Sequence, residues 1–458
     1  MIDPPTHTRP NRGVRRAILL LGAVFGMAKA AAAAPYTASD LGHALTPFGA
    51  ITAGNAAGSI PAWTGGITTP PAGFSNGGEH PDPYGAEKPL FSITAANVET
   101  YAAQLTPGIQ AMLKQYRSFR VDVYPSHRSF AAPPAILAAA IANAGTAQLA
   151  PDGNKVLGAH TSIPFPLPKS GLEAIWNHLL RWRGYQVRFT AYAANPLASG
   201  DYTLLKNQTE LLIPYASGGS SESGVLSYYM IATLSPPLYS GQLAVAIDHV
   251  DPGEHPRDSW IYNPGEQRVR RAPEVNFDTP NTQSDGLATD DDLDLFNGSP
   301  ERFNWTLLGR REIYVPYNDY DFGSPRHDYA EILKPHHVNP DLMRWELHRV
   351  WVVQADVKPD AHHIYAKRVF YYDEDSWEGL LADEYDHRGA LWRVVSGAPI
   401  CYYELPVLTN SANLFYDLQS GRYSARGLRN HDTKLDFFGA PLLRADFTPE
   451  ALRQAGVR

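Results

Sequence analysis

One cysteine is present in 458 residues. Cys401 therefore has no intramolecular partner, and no disulfide framework holds this fold together. Its setting in the apolar run PICYYELPV marks it as a small core residue rather than a nucleophile. Long apolar runs are also missing. Ala17 to Ala28 (AILLLGAVFGMA) is the most apolar stretch, and twelve residues fall well short of the ~20 a bilayer-spanning helix needs. Basic residues are few: the formal net charge is −8, and no basic, aromatic-interleaved stripe offsets it, which argues against nucleic acid as a partner. The chain contains no G-x-S-x-G, H-E-x-x-H, P-loop or G-x-G-x-x-G motif, so no cofactor or catalytic class is signalled. No repeat of 20–50 residues is visible, which removes propellers and solenoids from consideration.

The N-terminus reads as a leader. Arg12, Arg15 and Arg16 precede the short apolar run, and Ala30–Ala34 supplies small residues for cleavage, so residues 1–34 are expected to be a signal peptide for export to the periplasm. Removing the leader's +4 from the net charge of −8 leaves −12. The cleavage region holds no cysteine to accept lipid, so the mature chain is expected to be soluble.

The mature sequence divides by texture. Residues 35–92 are expected to form an extended arm, because Gly and Pro fill 16 of the 46 positions from 45 to 90. Trp63, Phe74, Tyr84 and Phe91 give that arm rings with which to pin itself to a body. Residues 93–184 carry helical signals: Thr94–Leu105, Pro107–Tyr116 behind the cap Thr106, Ala132–Ala147, and the amphipathic Leu172–Arg183. From residue 185 to 430 the period becomes two, with short Gly- and Asn-containing turns between apolar runs. This pattern predicts a long antiparallel meander with separate strands at Ala390–Ser396, Ile400–Pro406 and Asn413–Leu418 near its end. Residues 431–458 form a tail without a recognisable pattern. The fold class is therefore mainly β with helices (α+β). In Met343–Val357, Trp345, Leu347 and Trp351 share one face while Val350 and Val352 take the other, so both faces of this sheet must be covered or one must line a cavity.

Few residues suggest chemistry. The pairs His336–His337 and His362–His363 point to opposite sides of an extended backbone, so metal ligation is not expected. Asp290–Asp292 reads as the start of a helix, where carboxylates complement the macrodipole. In the segment Trp260-Ile-Tyr262…Arg268-Val-Arg270-Arg271, Arg268 and Arg270 share a face and can hold a carboxylate or phosphate. The alternative is a solvated edge strand protected by charge.

The segment SWIYNPGEQRVRRAPEV resembles the W-x-Y-x-P-x-x-x-R-V-R-R stretch of proteins related to outer-membrane lipoprotein-sorting (LolA/LolB-like) periplasmic carriers. GNAAGSIPAWTGG, HPDPYGAEKPLFSITAAN, IPFPLPKSGLEAIWNHLLRWRG, RWELHRVWVVQADVK and HIYAKRVFYYDEDSWEGLLADEYDHRGALWR resemble the family of domain of unknown function 1329. The resemblance implies a half-open β-barrel: a curved antiparallel sheet with an apolar cavity on its concave face, plugged by helices. It also implies association with a resistance-nodulation-division type exporter or an outer-membrane protein. The expected function is a non-catalytic periplasmic carrier or accessory factor for a lipid or other large hydrophobic molecule. Trp260, Tyr262, Trp345 and Trp351 are expected against the apolar part of that ligand, and Arg268 and Arg270 at an acidic head. The alternatives are an envelope interaction scaffold, and an enzyme acting through Asp373, Glu374, Asp375 and His348 on a hydrophobic substrate. A continuous apolar pocket favours the carrier and a solid core the scaffold.

Overall fold

The computed structural model describes residues 36–220, 224–272 and 278–457, with the side chain of residue 457 excepted. The expected signal peptide lies outside them. All that follows belongs to the unit Thr37–Arg458. In chain order its elements begin with β1 (Phe91–Ile93), α1 (Pro107–Gln115), β2 (Val121–Val123), α2 (Pro134–Thr146), β3 (Gln148–Leu149), β4 (Val156–Leu157) and α3 (Gly171–Leu180). Next come β5 (Gln186–Ala194), β6 (Leu204–Leu212), β7 (Val225–Ser235), β8 (Leu243–His249), β9 (Asp258–Asn263) and β10 (Arg268–Arg271). The last group is β11 (Phe303–Pro316), α4 (Tyr329–Ile332), β12 (Trp345–Val357), β13 (Lys367–Asp373), β14 (Gly379–Tyr385), β15 (Leu391–Tyr402), β16 (Val407–Asp417) and β17 (Arg422–Leu428). The tail adds β18 (Leu435–Asp436) and α5 (Pro449–Val457).

Sixteen strands make one sheet. Strands β11 to β17 follow one another as antiparallel neighbours, with a long connection carrying α4 between β11 and β12 and short turns from β13 onward. Then the order jumps: β17 pairs with β5, and β5 to β10 continue the row. The row does not close, because β10 and β11 each have one strand neighbour among the described residues. The architecture is thus mainly β, an open sheet with a few helices against it.

The helices start where their caps dictate. Thr106 accepts from Ile109 N with Pro107 at the first turn, and Ser170 accepts from Glu173 N. Helix α3 lies directly on β11, since a Cβ at Gly171 would fall 2.6 Å from the Thr306 nitrogen. The arm carries little regular structure and is held by its rings. Trp63 Nε1 donates to Phe130 O, Phe74 meets Tyr403 edge-on, Tyr84 stacks on His127 and Phe91 stacks on Tyr101.

Four expectations need correction. Residues 98–104 form a 3₁₀ helix rather than an α-helix. Ala390–Ser396 and Ile400–Pro406 are one strand, β15. A register shift between Gly397 and Pro399 lets the ladder pass the proline, and the Asn410 side chain fills the space beside Gly397. The following strand starts at Val407 rather than at Asn413. Finally, Asp290–Asp292 is a single 3₁₀ turn, and its charges face buried cations instead of a macrodipole. Arg368, fully buried, donates to Asp292 at 2.6 Å and also reaches Asp291 and Glu384. His363 and Tyr365 bond the same two aspartates.

The patternless tail has structure too. Leu442, Phe447 and Leu452 form a second apolar cluster with Tyr228, Leu243, Val245 and Tyr262, covering one face of β7 to β9.

Candidate functional site

A cavity of about 490 Å³ lies against the other face of strands β5 to β9. Strand β8 explains why there is room. Its sequence Leu243-Ala244-Val245-Ala246-Ile247 alternates large and small residues, and a strand sends alternate side chains to opposite faces. Leu243 and Val245 pack with the tail and Ile247 lies against the same cluster, while Ala244 and Ala246 line the cavity, which Val245 also reaches. Val187, Phe189, Leu211, Tyr229, Ile231 and Ile261 complete an apolar floor.

The opposite wall is the segment from Thr279 to Asn297, and it is fastened by charge. Besides the Arg368 cluster, Arg181 donates to Asp294 at 2.5 Å and Arg183 at 2.8 Å. Arg257 bonds Asp248 at 2.6 Å and the carbonyl of Asn297. Arg368 and His363 hold the Asp291 carboxyl down to about 2 in spite of its burial. Leu295 within this wall adopts a φ of 62°, a conformation unfavourable for a branched side chain, and the surrounding ion pairs hold it there.

The end of the cavity near β16 and β17 is polar. Arg426 and Arg429 line it with Asn410 and Asn413. Burial lowers both guanidiniums from their usual range, Arg429 to about 10. Arg429 bonds the Tyr402 hydroxyl. The Oδ1 atoms of Asn410 and Asn413 are buried without a hydrogen-bond partner among the described residues. An apolar floor with convergent polar groups at one end suits an amphipathic molecule, and the volume lies inside the ~300–1,000 Å³ of ligand sites.

The structure divides the expected ligand residues. Trp260 and Arg270 line the cavity, and Trp260 also packs against the tail cluster. Arg268 shares the face of Arg270, and both are exposed, but Arg268 sits at the end of the hairpin and is not part of the lining. Tyr262 is buried beneath the tail and is not part of the cavity lining. Trp345 and Trp351 belong to the main core and do not line this cavity. Trp351 stacks on Trp377 with ring centroids 5.6 Å apart, and the Arg310 guanidinium lies 4.1 Å over it. Arg426, Arg429 and Gln283 were missed. The alanines of β8 were the available sign of a hollow on this face, but nothing local marks β17 as the neighbour of β5.

The candidate acids and bases are occupied elsewhere. Asp375 takes two bonds from Arg128, Glu374 pairs with Arg310, Asp373 accepts from Ser376, and His348 bonds Glu346. All are buried, and none lines the cavity. Of the paired histidines, His337 bonds Ser118, His336 bonds Gly421 O, and His363 bonds Asp291. Cys401 is buried, and desolvation pushes its thiol up to about 12. The arm supplies no residue to the lining of the cavity. No described helix is long and apolar enough to cross a membrane.

The model of the family described as protein of unknown function (DUF1329) matches residues 92–453. An uncharacterized protein of Pseudomonas aeruginosa is 44% identical over 427 residues, covering 92% of this chain and 93% of its own length. Among solved structures, a domain from Vibrio parahaemolyticus described as an outer membrane lipoprotein-sorting protein is 16% identical. It covers 61% of this chain and 97% of its own, with a TM-score of 0.43. A LolA superfamily protein from Nitrosomonas europaea is 13% identical and covers 60% of this chain and 94% of its own, with a TM-score of 0.36.

Proposed function

This chain belongs to the DUF1329 family, whose description assigns no activity, and we propose that it is a periplasmic carrier or accessory factor for a lipid or other large hydrophobic molecule. The observation that carries this reading is the cavity of about 490 Å³, apolar along its floor and cationic at one end. A scaffold whose aromatic residues serve stability alone has no use for alanines turned inward from β8. Each inward alanine gives up the stabilisation of a larger buried side chain, roughly 1.5–3 kcal/mol. The physics of transport supports the same reading. Exposing an acyl chain of about 16 methylenes to water costs on the order of 13 kcal/mol, so such a molecule crosses an aqueous compartment only when carried.

The leader at residues 1–34 supports export to the periplasm, and the lack of a cysteine near the cleavage region supports a soluble mature form. A carrier of this kind would exchange its cargo with an envelope export system, of the resistance-nodulation-division type, or with an outer-membrane protein. It would need no chemistry of its own, in keeping with the engaged state of Asp373, Glu374, Asp375 and His348. Within the cavity, Trp260 and Arg270 remain candidate ligand contacts, with Arg268 at its outer edge. The test is native mass spectrometry of the full chain purified from periplasm without detergent. The carrier reading expects a bound apolar adduct that an added fatty acid displaces. A single unliganded mass, together with no uptake of a solvatochromic fatty acid, overturns it.

A further inference from the structure

The polar end of the cavity contains an unusual arrangement around Arg426. Among the described residues no carboxylate forms an ion pair with its guanidinium, and the Asp290 carboxylate, which accepts from Asn281 Nδ2 at 2.8 Å, acts on it only from behind that amide. Two neutral amide oxygens from the opposite wall satisfy it instead: Arg426 donates to Asn281 Oδ1 at 2.5 Å and to Gln283 Oε1 at 3.2 Å. Gln283 is tied to two further strands, accepting from Asn207 Nδ2 at 3.3 Å and donating to Thr233 Oγ1 at 3.2 Å. Its carbonyl accepts from Asn195 Nδ2. Thr282 and Gln283 also line a second cavity of about 490 Å³, bounded by Leu197, Tyr202, Leu238 and Tyr239. Gln283 is thus part of the partition between two hollows, one of them beside the exposed Leu238.

We propose that Arg426 is the anchor for an anionic head group, carboxylate or phosphate, of an apolar ligand, and that Asn281 and Gln283 hold the acceptor positions which the head-group oxygens take on binding. A guanidinium presents a planar fork suited to two anionic oxygens, and a charge-assisted bond to an anion is about twice as strong as one between neutral groups. Two separate amides reproduce the geometry of that contact without its charge. The exchange therefore favours an acidic ligand and leaves a neutral ligand of equal shape to displace Gln283 with no compensating ion pair. Release of Gln283 also frees the partition, so that the apolar part of the ligand gains a path from the second cavity. This assignment rests on the carrier reading and names its ligand class.

The experiment measures binding of cis-parinaric acid and its methyl ester by fluorescence to the full mature chain, with lysophosphatidic acid, a fatty acid and a fatty alcohol as competitors. The parent is expected to prefer the acid over the ester at least tenfold. Competition by lysophosphatidic acid beyond that by a fatty acid identifies phosphate as the preferred head, and the reverse identifies carboxylate. Arg426→Gln should abolish the preference while keeping ester affinity within about twofold. Arg426→Lys should retain part of it. Gln283→Ala, which removes a competitor for the guanidinium, should tighten the acid several-fold, and this gain should vanish in the double variant with Arg426→Gln. Melting temperatures establish that each variant is folded. Should Arg426→Gln not fold, Arg426→Lys and Gln283→Ala still decide the matter. A parent that binds acid and ester equally, or a Gln283→Ala that weakens both, overturns the head-group assignment alone. A parent that binds neither probe overturns the carrier reading as well.

Discussion

Trp351 separates stability from affinity. It is 7% exposed, stacked on Trp377 and covered by the Arg310 guanidinium, and it is absent from the cavity wall. Truncation of a buried Trp to Ala costs about 3–5 kcal/mol. The loss of a stacked pair, about 0.5–1.5 kcal/mol, places Trp351→Ala in the upper part of that range. An unfolding entropy near 2.1 cal/mol/K per residue over roughly 420 residues gives about 0.9 kcal/mol/K, so a loss of about 4–5 kcal/mol lowers the melting temperature by about 4–6 °C. Trp351→Phe, which keeps a ring against Trp377, should lose about a third of that. Neither variant should change the affinity for a fluorescent fatty acid. Ala246→Leu is the converse perturbation: it projects into the cavity, should cut fatty-acid affinity at least tenfold, and should leave the melting temperature near that of the parent. Calorimetry and fluorescence titration on the same preparations decide the question. A Trp351→Ala protein that melts within a degree of the parent, or that binds the fatty acid several-fold more weakly while folded, would refute this division of the molecule.

Three further outcomes follow from the buried charges and the leader. Arg368→Met should destabilise by about 3–5 kcal/mol, because Asp291, Asp292 and Glu384 lose their shared cation, and hydrogen exchange across 285–295 should accelerate. Burial pushes Asp383 and Glu374 up to about 7, above unfolded values near 3.9 and 4.3. A carboxyl raised on folding contributes stability that is fully present below its unfolded pKa and lost as pH rises through about 7, so the melting temperature should be higher at pH 5.5 than at pH 8. Asp383→Asn should flatten part of that slope; a parent with a higher melting temperature at pH 8 contradicts the assignment. N-terminal sequencing of periplasmic protein should begin close to Pro35, and an intact Met1 would exclude the leader.

Local patterns were legible because each element declares itself within a few residues. The alternation in β8 identifies a strand, and Thr106-Pro107 and Ser170 announce the helices. What could not be read depends on distant partners. Asp290–Asp292 looks like a helix start until Arg368, His363 and Tyr365 arrive from over 70 residues away. Arg426 is an ordinary strand residue until β17 is seen beside β5. Trp260, Tyr262 and Trp351 read alike in the sequence because aromatics suit both cores and cavities, and composition alone does not distinguish the two. The tail shows no repeating apolar pattern because it meets the sheet through widely spaced residues, Leu442, Phe447 and Leu452, of which only Leu452 lies in α5.

The pairing of β17 with β5 also bears on how the molecule comes to exist. Ala194 meets Ala425, and almost the whole β-region lies between them in the chain. A chain made N-terminus first presents β5 to β10 long before β17 follows. Until then β5 has an unpaired edge and the alanine-lined face has no opposite corner. Loop closure over such a distance is slow, and open strand edges invite association with other chains. The half that bears the cavity is therefore expected to be the last to mature and the part most dependent on folding assistance.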